Sequence, residues 1–277
     1  MSHDLIVKIG RSNIQIGDYN DRIYLMSLFP EESPEIVNRL INMAVDRDLS
    51  KIFAKVPKSL STHFLSGGFE KEAEVPGMYP DEDGVFLSFY RYPWRKKQDN
   101  KAELESVLSV AESKKGKGNV CTLPSNLHLN RLGLKDSHAL ARLYERTFKT
   151  YPFPINDPAF IEGEMESGVR FFGVFENDEL VGAASAEVSE DGYSAEMTDF
   201  AVNPDYRRMG IAGALLQALE SYCVESGIRC LFTIARACSY GINSMFSKGN
   251  YEYSGQLINN TNISGSLESM NVWHKMV

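Results

Sequence analysis

The sequence predicts an α/β chain of mixed α+β type, in which a C-terminal half built on a mostly antiparallel sheet follows a smaller α/β domain. Three observations predict it. Alternating apolar runs in the second half are punctuated by Asn177-Asp178 and Asp191-Gly192, the signature of consecutive hairpins. The third of those runs passes through a small-residue turn into a long apolar-periodic segment, a strand–turn–helix unit. Between them and the first half the sequence turns polar, opening with Arg95-Lys96-Lys97-Gln98-Asp99-Asn100-Lys101 and closing with Lys114-Lys115-Gly116-Lys117-Gly118. That stretch divides the 277 residues into domains 1–118 and 119–277.

Within the polar stretch, Leu104, Val107, Leu108 and Ala111 recur at helical spacing, predicting a short amphipathic helix with flexible ends. Residues 127–132 read as a strand. Asp136 is placed to cap the next helix, whose stripe is Leu140, Leu143, Tyr144 and Phe148. Tyr151-Pro152-Phe153-Pro154 ends it, and a second short helix is expected over 157–165. Strands follow at 170–176, 180–188 and 193–202, a long helix at 211–226, a buried strand at 230–235, a helix at 240–246 and a strand pair around 251–257 and 271–275. The first half echoes the later part of this plan. Tyr24 to Pro30 and a helix over 34–45 resemble Phe200 to Pro204 and the long helix. Residues 51–55 resemble 230–234, 64–69 resemble 246–251, and 84–90 match the last strand. The first domain then reads as a truncated copy of the second, without a glycine-rich turn after Pro30.

The hydrophobic fraction of 43% and charged fraction of 24% are those of a soluble globular chain. No apolar run approaches the ~18 residues that span a bilayer. Met1-Ser2-His3-Asp4 lacks the basic start of a signal peptide, so a cytoplasmic location is expected. Cys121, Cys223, Cys230 and Cys238 form no Cys-x-x-Cys pair and have no histidine cluster beside them, so reduced thiols and no metal are expected. Of the net charge of -8, residues 1–118 carry -1 (17 basic, 18 acidic) and residues 119–277 carry -7 (12 basic, 19 acidic). An acidic second half argues against a nucleic-acid partner and suits a small cationic one.

The chemistry is carried by Glu196-Met197-Thr198-Asp199-Phe200-Ala201-Val202-Asn203-Pro204-Asp205-Tyr206-Arg207-Arg208-Met209-Gly210-Ile211-Ala212-Gly213. Gly210, Ala212 and Gly213 let a ligand approach the backbone, and the loop amides converge with the helix N-terminus on one point. That geometry binds a pyrophosphate, with Arg207 and Arg208 adding charge. The stretch is not a Walker A loop, because no Gly-Lys-Ser/Thr follows. It is a poor dinucleotide fingerprint, because the preceding strands are hairpins.

The array resembles the acetyl-CoA site of the GNAT N-acetyltransferase superfamily, whose Arg/Gln-x-x-Gly-x-Gly/Ala pattern falls on Arg207, Gly210 and Ala212. The resemblance covers residues 125–277. It implies a splayed sheet in which the strand of Phe200, Ala201 and Val202 parts from that of residues 230–235. Pantetheine then lies in the gap like an added strand, and Arg207, Arg208, Met209, Gly210, Ile211, Ala212 and Gly213 hold the diphosphate. No metal is implied. A free alkyl ammonium has a pKa of about 10.4, so a general base or desolvation is required. Glu196 stands where several GNAT enzymes keep a catalytic glutamate; otherwise it is a strand-edge charge or an anchor for the substrate ammonium. Asp199 is the other nearby carboxylate, on the opposite face of an ideal strand. The tyrosine that many GNAT enzymes use as acid is replaced by Phe246, leaving Tyr240, Ser239, Ser244 or solvent. Asn243 is either a cofactor contact or a solvated helix residue.

A narrower resemblance covers both halves. Asn20-Asp21-Arg22-Ile23-Tyr24-Leu25-Met26, Ile52-Phe53-Ala54-Lys55-Val56-Pro57, Tyr151-Pro152-Phe153-Pro154-Ile155, Leu257-Ile258-Asn259-Asn260 and Ser269-Met270-Asn271-Val272-Trp273 are similar to the beta-lysine N6-acetyltransferase family. It implies acetyl transfer from acetyl-CoA to the terminal amine of beta-lysine, giving the compatible solute N6-acetyl-beta-lysine of osmoadaptation. Tyr151, Phe153 and Trp273 are candidates to line an acceptor channel. Asn259, Asn260 and Glu268 are candidates for the zwitterionic end, Arg170 or Arg236 for the carboxylate, and Asp199 for a further substrate contact. For each, a structural reading stands beside the functional one. Another small amine, a protein or peptide lysine, and a non-catalytic acetyl-CoA-binding module are the competing readings. The sequence leaves oligomeric state open, a homodimer included.

Overall fold

The computed structural model describes residues 3–119 and 122–277; Cys121, Met1 and Ser2 lie outside them. The N-terminal half runs β1 (Leu5–Ile9), β2 (Ser12–Gly17), β3 (Arg22–Ser27), α1 (Ser33–Asp46), β4 (Lys51–Pro57), α2 (Ser61–Ser66), β5 (Glu70–Tyr79) and β6 (Glu82–Tyr90). The connecting helices α3 (Pro93–Lys96) and α4 (Lys101–Glu112) follow. The C-terminal half runs β7 (Leu127–Arg131), α5 (Ser137–Thr147), α6 (Pro158–Glu166), β8 (Arg170–Glu176), β9 (Glu179–Val188), β10 (Ser194–Val202), α7 (Ile211–Glu225), β11 (Cys230–Arg236), α8 (Tyr240–Lys248), β12 (Glu252–Ile263) and β13 (Ser266–Met276).

These strands join one sheet in the order β1-β2-β3-β4-β6-β5-β12-β13-β11-β10-β9-β8-β7. The order β1-β2-β3-β4-β6-β5 is the order β8-β9-β10-β11-β13-β12 repeated. Among the described residues, one pair in each half is parallel, β3 with β4 and β10 with β11, and a helix (α1 or α7) makes that crossover. The correspondences read in the sequence fall on equivalent strands and helices. The two halves meet where β5 pairs with β12 at Ala73 and Gly255.

β9 is buried on both faces, with Val181 and Ala184 in the core under α7 and Leu180 and Ala183 in the core under α5 and α6. Small residues are required there: a Cβ on Gly182 would stand 2.5 Å from Ile211 Cγ2 at the start of α7. This close approach seats the head of α7 against the sheet. A third core belongs to both halves, packing Tyr24, Phe53 and Phe86 against Phe232, Leu257 and Val272.

Three expectations change. The final strand pair is a longer hairpin than residues 251–257 and 271–275, bulged between Leu257 and Thr261. Asp136 does not cap α5; its carboxylate accepts the Gly133 N–H at 2.9 Å instead. The glycine-rich end after α4 is tied down, with Gly116 and Gly118 amides donating to the carbonyls of Ser247 and Lys248 at 3.2 and 3.1 Å.

Candidate active site

β10 and β11 pair through Ser194–Cys230, Ala195–Leu231 and Glu196–Phe232, and then separate. The cause is local to β10. Its register with β9 shifts between Thr198 and Ala201, and Asp199 there has φ +56°, a left-handed residue that bends the strand. The split opens into a cleft of 1510 Å³, with Thr198, Phe200 and Val202 on one lip and Thr233, Ile234 and Ala235 on the other. Single-ligand sites run to roughly 1,000 Å³, so this one has room for two reactants.

Beyond β10 the chain turns through Arg208 at φ +68° and Gly210 at φ +82°, and α7 begins with no side chain capping it. Arg207, Arg208, Gly210, Ile211, Ala212 and Gly213 line the cleft here. Neither arginine is in an ion pair with a described residue, and both are exposed. An uncapped helix start beside two free guanidinium groups can hold a diphosphate. The residues present thus fit coenzyme A. Lys114 also lines the cleft, donating to Ser244 Oγ at 3.1 Å; it reads in the sequence as linker charge, and only the docking of the linker on α8 reveals its position.

The Ala201 side chain is packed in the core on the α5 side, so at that residue only the backbone can meet pantetheine. Three other cofactor and channel candidates fall elsewhere. Met209 is 42% exposed and off the cleft wall. Asn243 is fully buried and saturated: its amide donates to the carbonyls of Arg236 and Ser239, and its oxygen accepts from Asn271 Nδ2 and Trp273 Nε1, both at 2.9 Å. It has no polar capacity left for a cofactor. Trp273 is 1% exposed in the core under α7 and lines no channel. Phe246 is buried edge-on to Phe200, with ring centroids 5.6 Å apart. Of the candidate acids, Ser239 caps α8 through the Ile242 amide, Ser244 is engaged by Lys114, and the Tyr240 phenol lies at the cleft beside Ser106.

Glu196, Glu187 and Asp199 all line the cleft. The bulge corrects the ideal-strand geometry by turning Asp199 to the same side as Glu196. There Asp199 accepts from the Tyr151 hydroxyl at 2.5 Å and the Ser185 hydroxyl at 2.6 Å. The Glu196 carboxyl is raised to about 7, chiefly by burial; Lys55 opposes the rise, Asp199 adds to it, and the Ile234 amide opposes it. Glu187 has its open surface toward the cleft, yet the surrounding protein raises it too, with the charges of Glu196 and Asp199 in the same sense. Burial alone would lower Lys55, but Tyr24, Glu196, Tyr79 and Glu187 outweigh it and raise the ammonium, which therefore stays charged.

The wall opposite these acids is the N-terminal sheet. Arg22, Tyr24 and Met26 alternate along β3, Phe53 and Lys55 along β4, and all five line the cleft with Tyr151, Phe153 and Asn260. Nothing in the spacing of these strands identifies them as site residues, because the sheet that brings them here is formed across the two halves. Arg170 is held by Tyr222 on the outer surface, away from the cleft. Arg236 is occupied by Glu268 at 2.6 Å, and Asn259 by the carbonyls of Arg95 and Lys97. Of the described thiols, Cys223 and Cys230 are buried, while Cys238 is half-buried and donates to Glu268 at 3.2 Å. No group of three or more His, Cys, Asp or Glu among the described residues is arranged to hold a metal ion. No described helix is long and apolar enough to cross a membrane.

Residues 138–242 match the acetyltransferase (GNAT) family model. The beta-lysine N(6)-acetyltransferase of Methanococcus maripaludis is 36% identical over 271 residues, 98% of each chain. N-acetyltransferase YodP of Bacillus subtilis is 32% identical over 209 residues, 76% of each chain. The beta-lysine N(6)-acetyltransferase of Methanosarcina mazei is 35% identical over 155 residues, 56% of this chain and 57% of that one. With the strand split, the uncapped helix and a full-length match in hand, the chain belongs to the beta-lysine N6-acetyltransferase family of the GNAT superfamily and is an acetyl-CoA-dependent acyltransferase.

Proposed function

We propose that the protein transfers acetyl from acetyl-CoA to the terminal amine of beta-lysine, with Glu196 as general base. The observation that carries this is the composition of the cleft beyond the strand split. Three carboxyl groups, Glu187, Glu196 and Asp199, face one lysine there, under a wall supplied by the other half of the chain. Excess carboxylate attracts a cationic diamine. A carboxyl raised to about 7 can take a proton from the substrate ammonium near neutrality, freeing the amine to attack the thioester. Phe200 and Val202 lie along the lip where pantetheine would run, and Arg207, Arg208 and the residues from Gly210 to Gly213 hold its diphosphate. The relatives named for beta-lysine support the choice of amine.

A lysine on a folded protein is a poorer fit. The wall of β3 and β4 stands over the acids and leaves a folded partner no flat approach. In this reading residues 1–118 are a degenerate copy of 119–277 that lost the diphosphate turn and became the acceptor wall. A free-thiol assay with acetyl-CoA over beta-lysine, alpha-lysine, polyamines and lysine peptides tests the assignment. Beta-lysine is expected to give the highest kcat/KM, and a peptide or polyamine in first place would overturn it.

A further inference from the structure

Arg22 is 3% exposed, lines the cleft, and forms no ion pair with a described residue. Its neighbours are neutral acceptors: the Asn260 carbonyl at 2.6 Å, the Thr261 hydroxyl at 3.2 Å and the Gln15 amide oxygen at 3.3 Å. Its Nε has no partner, nor has the Oδ1 of Asn260, which is 1% exposed beside it on the same wall. The contrast with Arg95 is direct, since that buried guanidinium is paired with Asp21 at 3.1 Å. A buried cation without a counter-ion is costly, and the chain retains this one on the acceptor side of the cleft.

We propose that Arg22 binds the carboxylate of the acceptor and so selects an amino acid over a simple diamine. The inference rests on the substrate reading above. Tyr24, two residues along the same face of β3, lines the same cleft as Arg22, Lys55 and Glu196 and lies within the electrostatic reach of all three. The cleft is therefore bipolar, acidic where the amine is acetylated and cationic where the carboxylate ends. Burial lowers Arg22 to about 10, the cost that an incoming anion relieves. The candidates named from the sequence, Arg170 and Arg236, are both engaged elsewhere.

The test compares beta-lysine with 1,4-diaminopentane, the same diamine without its carboxylate, in the full chain. The wild type should prefer beta-lysine by about 100-fold in kcat/KM, the scale of a buried charge pair. Arg22→Gln should abolish that preference, mostly through KM for beta-lysine, leaving the diamine and acetyl-CoA within about threefold. Arg22→Lys should recover part of it. Equal losses on both acceptors with an unchanged Tm would overturn the role. If Arg22→Gln fails to fold, the wild type decides alone: equal use of the two acceptors overturns the inference. No transfer to beta-lysine by the wild type overturns the parent substrate assignment, and this inference with it; transfer without preference overturns only the role of Arg22.

Discussion

At Glu196 the strand split and the carboxyl chemistry have one origin. Where β10 leaves β11, the carboxyl enters a walled space whose burial disfavours the anion, and its pKa rises to about 7. A base must be unprotonated to act, so kcat/KM for the amine should rise with pH through about 7. Glu196→Gln should lower kcat by about 100-fold at neutral pH, erase that limb, and regain activity at high pH, where the amine deprotonates unaided. An unchanged kcat across pH would remove Glu196 as base. Lys55 supplies the control. Its charge holds the Glu196 pKa down, so Lys55→Met should move the limb to higher pH, and a limb that stays in place would separate the two groups. Glu196 was a candidate in the sequence because several GNAT enzymes keep a glutamate at that position. Lys55 and Arg22 were not, because alternation in β3 and β4 identifies which residues share a face but not which face meets a cleft made with strands of the other half.

Among the elements, the turn before α7 was the most legible, since small residues in a strand–turn–helix unit have a local cause. Gly210 holds φ +82°, so a β-branched residue there is strained and would disturb the turn that lines the proposed diphosphate site. Gly210→Val should weaken acetyl-CoA binding at least tenfold by calorimetry, with far-UV circular dichroism retained. The β5–β12 seam was not legible, because it is an edge-to-edge contact between two strands that each look complete. Gly255 there has φ +142°, and a Cβ would stand 2.2 Å from the Glu72 carbonyl oxygen and 2.7 Å from Ala73 Cα. Backbone cannot yield as a flexible side chain can. Gly255→Ala should cost about 3 kcal/mol and lower Tm by roughly 6–12 °C. An unchanged Tm would mean that the seam is loose.

Across the whole molecule, the seam decides whether the halves are two units or one. Glu72 of β5 is buried there, pairing with Lys51 at 3.2 Å, accepting from the Ser88 and Tyr90 hydroxyls and from the Ile258 amide of β12 at 2.9 Å. Lys51 also donates to the Ile258 carbonyl at 2.7 Å. Separating the halves would leave this charge pair half-solvated and expose the shared core of Phe53, Phe86, Phe232 and Val272. Both penalties fall on the same step, so unfolding should be a single transition. The chain has two tryptophans, Trp94 in the N-terminal half and the buried Trp273 in the C-terminal half. Trp94→Phe removes a side chain that is 55% exposed and leaves Trp273 to report its own half, while far-UV circular dichroism reports both. In urea the two signals should share one midpoint. A circular dichroism curve with an extra step absent from Trp273 fluorescence would show the N-terminal wall leaving first, and the proposed acceptor site would then open without unfolding of the C-terminal half.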